Sequence, residues 1–142
     1  MKPVVVVKTK IGEYLVKEDL LYTDTDEWVK VVGDSVIVGI TDYAQKKLKH
    51  VVSVELPETG REVRKGEVIA TLESVKAIAD IYTPVDGTIV EVNEELPSSP
   101  DLINKDPYGS GWIAKIKLSG TFPKLLTPDE YVKFIEKREG VS

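Results

Sequence analysis

A single lysine stands at the centre of the most informative stretch of this 142-residue chain. Val68-Ile69-Ala70-Thr71-Leu72 and Ile78-Ala79-Asp80-Ile81-Tyr82 are strand-like runs, and Glu73-Ser74-Val75-Lys76-Ala77 lies between them. Lys65-Gly66-Glu67 on one side is answered by Asp86-Gly87-Thr88 on the other, so that the midpoint of Gly66 and Gly87 falls between Lys76 and Ala77. This quasi-repeat predicts a hairpin with Lys76 at its tip. A tip lysine is open to a modifying enzyme, and two strands fix its root. Acylation removes the amine's charge and turns the side chain into a long tether, whose end visits several active sites at high effective concentration. An unmodified surface lysine in a turn produces the same local pattern.

Other chemistries are narrowed by composition. There is no cysteine, which excludes a Cys nucleophile, a Cys-bound zinc, an Fe–S cluster and a protein disulfide. The only histidine, His50, cannot build a multi-His metal site and reads as a surface or helix-end residue. No Gly-x-Ser-x-Gly is present, and Ser110 in Gly109-Ser110-Gly111 reads as a turn. No metal site is expected. The net charge is -5, from 24 acidic and 19 basic residues, with no long Lys/Arg block, so no nucleic-acid partner is expected. Val4 to Val7 is far too short for a membrane span or a signal-peptide core. No arginine precedes Arg61, which counts against a mitochondrial presequence; the expected location is a prokaryotic cytoplasm rather than a mitochondrial matrix. Met1, Gln45, Asn93 and Asn104 are the only residues of their types, a depletion that matches a thermophile pattern.

The elements that must position Lys76 are mainly strands. Trp28 to Val32 and Ser35 to Ile40 flank Gly33-Asp34 as a hairpin, and Val51 to Leu56, Thr88 to Val92 and Trp112 to Leu118 add further β-branched runs. Short strands at regular spacing predict a sandwich or barrel. Thr41 is placed to cap a helix through Leu48, and Ser99-Pro100-Asp101 reads as N-cap, N1 and N2 of one turn carrying Leu102 and Ile103. Thr127-Pro128-Asp129-Glu130 is a capping box with Pro at N1; Leu126 and Tyr131 are set for a hydrophobic staple, and Gly140 for the stop of a helix over 128–138. Residues 1–21 read as an N-terminal extension of unassigned role, two strands around Ile11-Gly12 pairing with a sheet edge. Residues 22–142 read as the carrier domain.

Glu73-Ser74-Val75-Lys76-Ala77, with Asp80-Ile81-Tyr82-Thr83-Pro84-Val85-Asp86-Gly87, resembles the lipoylation segment of the glycine cleavage system H protein family. The resemblance runs in family order from residue 22 to about 137. It includes Tyr22 to Trp28, Val38-Gly39-Ile40-Thr41-Asp42-Tyr43-Ala44-Gln45, Val54 to Gly60, Ser99 to Asn104, Pro107-Tyr108, Gly111-Trp112 and Lys115-Ile116-Lys117. It implies a barrel-sandwich hybrid of lipoyl/biotinyl-domain type, with short helices and a C-terminal helix. The implied protein is a non-catalytic carrier of glycine catabolism with lipoate in amide linkage on Lys76. By that resemblance the arm takes an aminomethyl group from a pyridoxal-phosphate-dependent glycine decarboxylase and gives it to a tetrahydrofolate-dependent aminomethyltransferase. It passes reducing equivalents to dihydrolipoyl dehydrogenase, and a lipoate-attaching enzyme loads it.

The resemblance also implies a cleft for the aminomethyl arm. A cleft for a protonated amine should present carboxylates and exclude water. Glu27 and Asp80 match the family's carboxylates, and Thr25 is a hydroxyl partner. Where the family commonly has a histidine before the Glu-Trp pair, this chain has Asp26, so that Asp24, Asp26 and Glu27 crowd three carboxylates into four positions; this pattern fits a solvated acidic loop better than a strengthened attraction for a cation. Biotin carriers flank their lysine with methionines, whereas Val75 and Ala77 flank Lys76. The lipoyl domains of 2-oxo-acid dehydrogenases usually place an acid directly before the lysine and lack the Trp28 and Tyr108 segments. A lipoyl donor to other lipoate-dependent complexes, and an unmodified β-barrel interaction module, are the remaining alternatives.

Overall fold

The computed structural model describes residues 4–9 and 12–140; Ile11, which the sequence reading puts in the first turn, lies outside them. The chain folds mainly as antiparallel β-structure with a C-terminal helix. A two-stranded ribbon pairs β1 (Val4–Thr9) with β2 (Gly12–Lys17). A six-stranded sheet takes the order β3 (Leu21–Tyr22), β4 (Glu27–Val32), β5 (Ser35–Ile40), β11 (Ala114–Leu118), β10 (Gly87–Val92) and β7 (Glu62–Val63). A three-stranded sheet is formed by β6 (Val51–Glu55), β8 (Val68–Ser74) and β9 (Ile78–Tyr82).

The two larger sheets close on a core that includes Val36, Val38, Leu72, Ile81, Ile89, Leu96 and Ile116. All of these but Leu96, which lies in the turn after β10, come from inward positions of the strands, where side chains point alternately to the two faces. The two glycines of the quasi-repeat act differently. Gly66 sits at φ +91°, a left-handed position, whereas a Cβ on Gly87 would meet the Lys117 carbonyl oxygen at 2.1 Å across the β10–β11 pair. One sequence motif thus serves a turn on one side and a close backbone approach on the other.

Helix α1 (Asp42–Leu48) is capped by Thr41, whose hydroxyl accepts from the Ala44 N–H. Helix α2 (Leu102–Lys105) begins two residues later than the Ser99 cap predicts. Ser99 contributes its carbonyl to the Leu102 N–H at 3.1 Å, so the segment opens as a tight turn, and the Asp101 side chain pairs with Lys105 at 2.8 Å instead of capping. Helix α3 (Pro128–Arg138) carries the full capping box, with Thr127 accepting from the Glu130 N–H and Glu130 accepting from the Thr127 N–H.

A second core lies under α3. Tyr131 and Ile135 are buried with Val7, Tyr14, Val16, Tyr22, Trp28 and Tyr43, and Tyr131 stacks on Tyr22 at 4.6 Å. The N-terminal ribbon therefore does not extend a sheet edge as the sequence reading has it: it forms its own sheet and packs against α1 and α3. Alternate residues Val7, Tyr14 and Val16 point into the second core, while Val4, Val6 and Leu15 are exposed. Among the described residues, no helix is long and apolar enough to cross a membrane.

Candidate functional site

Lys76 stands at the tip between β8 and β9, where the quasi-repeat puts it. The register Leu72↔Ala79 and Glu73↔Ile78 brings the strands together, and Ser74 closes the turn. The Ser74 N–H donates to the Ala77 carbonyl at 2.8 Å. Its hydroxyl accepts from the N–H groups of Lys76 (3.1 Å) and Ala77 (3.0 Å) and donates to the Ala77 carbonyl (3.1 Å). Ser74 is buried while Glu73, Val75, Lys76 and Ala77 are exposed. The Val75 N–H also donates to the His50 carbonyl at 3.0 Å, tying the tip to the chain that follows α1. A serine that satisfies three backbone groups holds the Lys76 root in place while its side chain projects.

Glu27 begins β4 and is 1% exposed. One carboxylate oxygen accepts from the hydroxyls of both Thr23 and Thr25, and the other accepts from the Tyr82 N–H at 3.2 Å. Burial pushes the Glu27 carboxyl up to about 7, against the lowering effect of the Thr23 and Thr25 hydroxyls and the Tyr82 N–H, with nearby Asp26 adding to the rise. This carboxyl lines a cavity of about 300 Å³ with Thr23, Thr25, Lys65, Tyr82 and Thr83. Near neutral pH such an acid is shared between its two protonation states, and a cation entering the cavity stabilises the ionised form.

The predicted arm cleft is only partly gathered. Thr25 and Glu27 meet in this cavity, but Asp80 does not line it; Asp80 lies exposed on β9, within 3.3 Å of the Thr71 hydroxyl on β8. Lys76 opens onto a separate cleft on the side of α1. Strand β9 links the two places, running from Ile78 beside the tip to Tyr82 at the cavity wall, a span of about 13 Å. Thr23 and the Tyr82 N–H are absent from the sequence-based site; the Thr-x-Thr-x-Glu spacing, two hydroxyls within four residues of a carboxylate, is the signal that points to them.

Asp26 corrects the reading of a solvated acidic loop. It holds a left-handed backbone, φ +71°, and its carboxylate accepts from the Tyr131 hydroxyl at 2.8 Å and from both Arg138 Nη atoms. Arg138 in turn lies over the rings of Tyr43 and Phe134 at 4.6 and 4.3 Å. The Asp26 N–H donates to the Thr23 carbonyl and its own carbonyl accepts from the Thr41 N–H, so the clamp shapes the loop that carries both threonines. His50 is exposed just past α1, as expected from sequence. Among the described residues no group of three or more His, Asp or Glu is set to hold a metal ion.

The family model of the glycine cleavage H-protein matches residues 20–138. A probable glycine cleavage system H protein of Aeropyrum pernix is 56% identical over 128 residues, covering 89% of this chain and 90% of that protein. A probable glycine cleavage system H protein of Sulfolobus acidocaldarius is 54% identical over 132 residues, covering 92% and 96%. The crystal structure of a glycine cleavage system H protein from Mycobacterium marinum superposes with a TM-score of 0.76 at 37% identity, over 87% of this chain and 98% of that one.

Proposed function

The chain belongs to the glycine cleavage H-protein family, and from that premise we propose that it is a lipoyl carrier of the glycine cleavage system, with lipoate in amide linkage on Lys76. The observation that carries this reading is the tip itself: an exposed amine on a turn whose backbone is pinned by Ser74 and by the His50 carbonyl. These residues suit the group. Among the described residues the Lys76 ammonium pairs with no carboxylate and donates to the Lys47 carbonyl at 3.4 Å, so acylation breaks no ion pair there. When attached, lipoate supplies a dithiolane able to carry an aminomethyl group and electrons.

The chain's own residues then anchor, park and shield. Lys76 fixes where the arm starts. Thr25 and Glu27, with Thr23, line the cavity that receives a protonated amine; Glu27 offers the charge, and the threonine hydroxyls hold its carboxylate in one orientation. Its burial keeps bulk water from that carboxylate. Asp80, on the outer face of β9 between tip and cavity, lies along the arm's path and attracts a cation passing over the strand. On this reading the protein performs no catalysis of its own. Its partners are the pyridoxal-phosphate-dependent glycine decarboxylase, the tetrahydrofolate-dependent aminomethyltransferase, dihydrolipoyl dehydrogenase and a lipoate-attaching enzyme, in a prokaryotic cytoplasm. Residues 22–142 form the carrier domain.

Intact mass and a tryptic map of the protein from its own source test the assignment. Lipoylated Lys76 resists trypsin, so the peptide beginning at Gly66 runs past Lys76 and carries the added mass. Cleavage after Lys76 throughout the native protein would make the chain an unmodified interaction module.

A further inference from the structure

The cleft beside Lys76 departs from the charge of the rest of the molecule. The chain carries a net charge of -5, yet this cleft of about 660 Å³ is lined by Lys46, Lys47, Lys49, His50 and Lys76 and, among the described residues, by no carboxylate. Part of the basic cluster has a local cause. Lys46 and Lys47 sit in the last turn of α1, where cations suit the helix dipole. Lys46 reaches Asp42 at 3.1 Å, and Lys47 reaches Glu139 at 3.0 Å. Lys49 and His50 follow the helix, and neither pairs with a carboxylate among the described residues.

The platform is rigid. The Asn104 amide donates to the Lys49 carbonyl at 2.7 Å and to Gln45 Oε1 at 3.0 Å, and its oxygen accepts from the Val51 N–H at 2.9 Å. The same segment holds the tip through the His50 carbonyl, so the basic platform and Lys76 keep a fixed relation. On the tip, Val75 and Ile78 are each 69% exposed, more than any other large apolar side chain among the described residues. Two exposed branched side chains beside a basic cleft are not needed for the fold, since both point away from the core.

We propose that the Lys49–His50 platform and the Val75–Ile78 pair together form the docking surface for the enzyme that acylates Lys76, which meets them with an acidic rim around an apolar seat. The proposal rests on the reading of Lys76 as the lipoylated residue. Any enzyme that brings an acyl donor to the Lys76 Nζ must cover the tip, and so must cover these side chains. Complementary charge at the rim raises the encounter rate and fixes the approach, and the apolar pair holds the encounter once formed.

The test is lipoylation of the unmodified protein by its cognate lipoate–protein ligase with lipoate and ATP, followed by mass. Rates are compared from low salt to about 1 M NaCl, where the screening length falls to about 3 Å. Lys49→Glu with His50→Glu is expected to lower kcat/KM about tenfold at low salt, with kcat unchanged, and to converge on the wild type at high salt. Val75→Ser with Ile78→Ser is expected to lower kcat/KM at every salt concentration. Unfolding curves matching the wild type show that both variants are folded. A Lys49→Glu, His50→Glu variant with the wild-type rate and salt slope overturns the proposal, as does a loss that salt does not relieve. Wild-type protein that the ligase does not modify overturns the lipoyl reading of Lys76 first, and the docking surface with it.

Discussion

Glu27→Gln isolates the cost of holding a carboxyl in a dry cavity. In the folded protein the Glu27 carboxyl is pushed from 4.5 to about 7 by burial. Below pH of about 4.5 the group is protonated whether the chain is folded or not, and it costs nothing electrostatic. Between about 4.5 and 7 the folded protein keeps a proton that the unfolded chain has released, so stability falls as pH rises. Above about 7 the loss is complete. At 1.36 kcal/mol per pH unit, the interval amounts to about 3 kcal/mol. The amide that replaces the carboxyl does not titrate, and any misfit of it against the Tyr82 N–H is the same at every pH. The stability difference, Glu27→Gln minus wild type, is therefore expected to grow by about 3 kcal/mol between pH about 4 and about 8 in guanidinium unfolding. Carboxylates remote from Glu27 are common to both proteins and cancel in the difference. Two stability curves that stay parallel across this range would refute the burial argument for Glu27.

Lys76→Arg is expected to abolish lipoylation and carrier activity while leaving the unfolding midpoint unchanged, because the tip is exposed and the charge is kept; coupled NAD reduction that survives the change removes Lys76 from the mechanism. Ser74→Ala deletes the hydroxyl that accepts from the Lys76 and Ala77 amides, and a loss of about 1 kcal/mol is expected, with faster hydrogen exchange at those two amides. Arg138→Gln leaves the Asp26 carboxylate with the Tyr131 hydroxyl alone, and about 2 kcal/mol of destabilisation is expected by denaturant unfolding. Thr23→Val removes one hydroxyl from the Glu27 carboxylate; its titration, followed by carbon NMR of the Glu27 carboxyl, is expected to move above about 7, since that hydroxyl favours the ionised form.

Features written in local pattern were legible before the fold was known. Strand-like runs rich in β-branched residues mark β4, β5, β8 and β9, and Thr41 and the Thr127–Glu130 box mark two helix starts, because strands and caps depend on residues at most a few positions apart. The Lys76 tip belongs to the same class. Asp26 was not legible: its partners Tyr131 and Arg138 lie 105 and 112 residues away, and three acids in four positions look solvated until the helix that covers one of them is placed. Glu27 and Asp80 are both carboxylates in the family pattern, yet burial separates them, and burial depends on the whole sheet. The N-terminal ribbon was misplaced because alternation shows that a strand has an apolar face without showing what covers it.

The second core joins the two ends of the chain. Val7, Tyr14, Val16, Tyr22 and Trp28 close against Tyr131 and Ile135, and the Tyr14 hydroxyl donates to Glu139 at 2.9 Å. Contacts of such sequence separation make a high contact order, and the entropy of closing so long a loop is spent before any of them forms. During synthesis the first residues of this core must wait, uncovered, until α3 has left the ribosome. The β8–β9 hairpin bearing Lys76, by contrast, pairs strands only a few residues apart. The order in which the chain can mature follows from this: the lysine-bearing tip takes shape early, and the clamp over the Glu27 loop closes last.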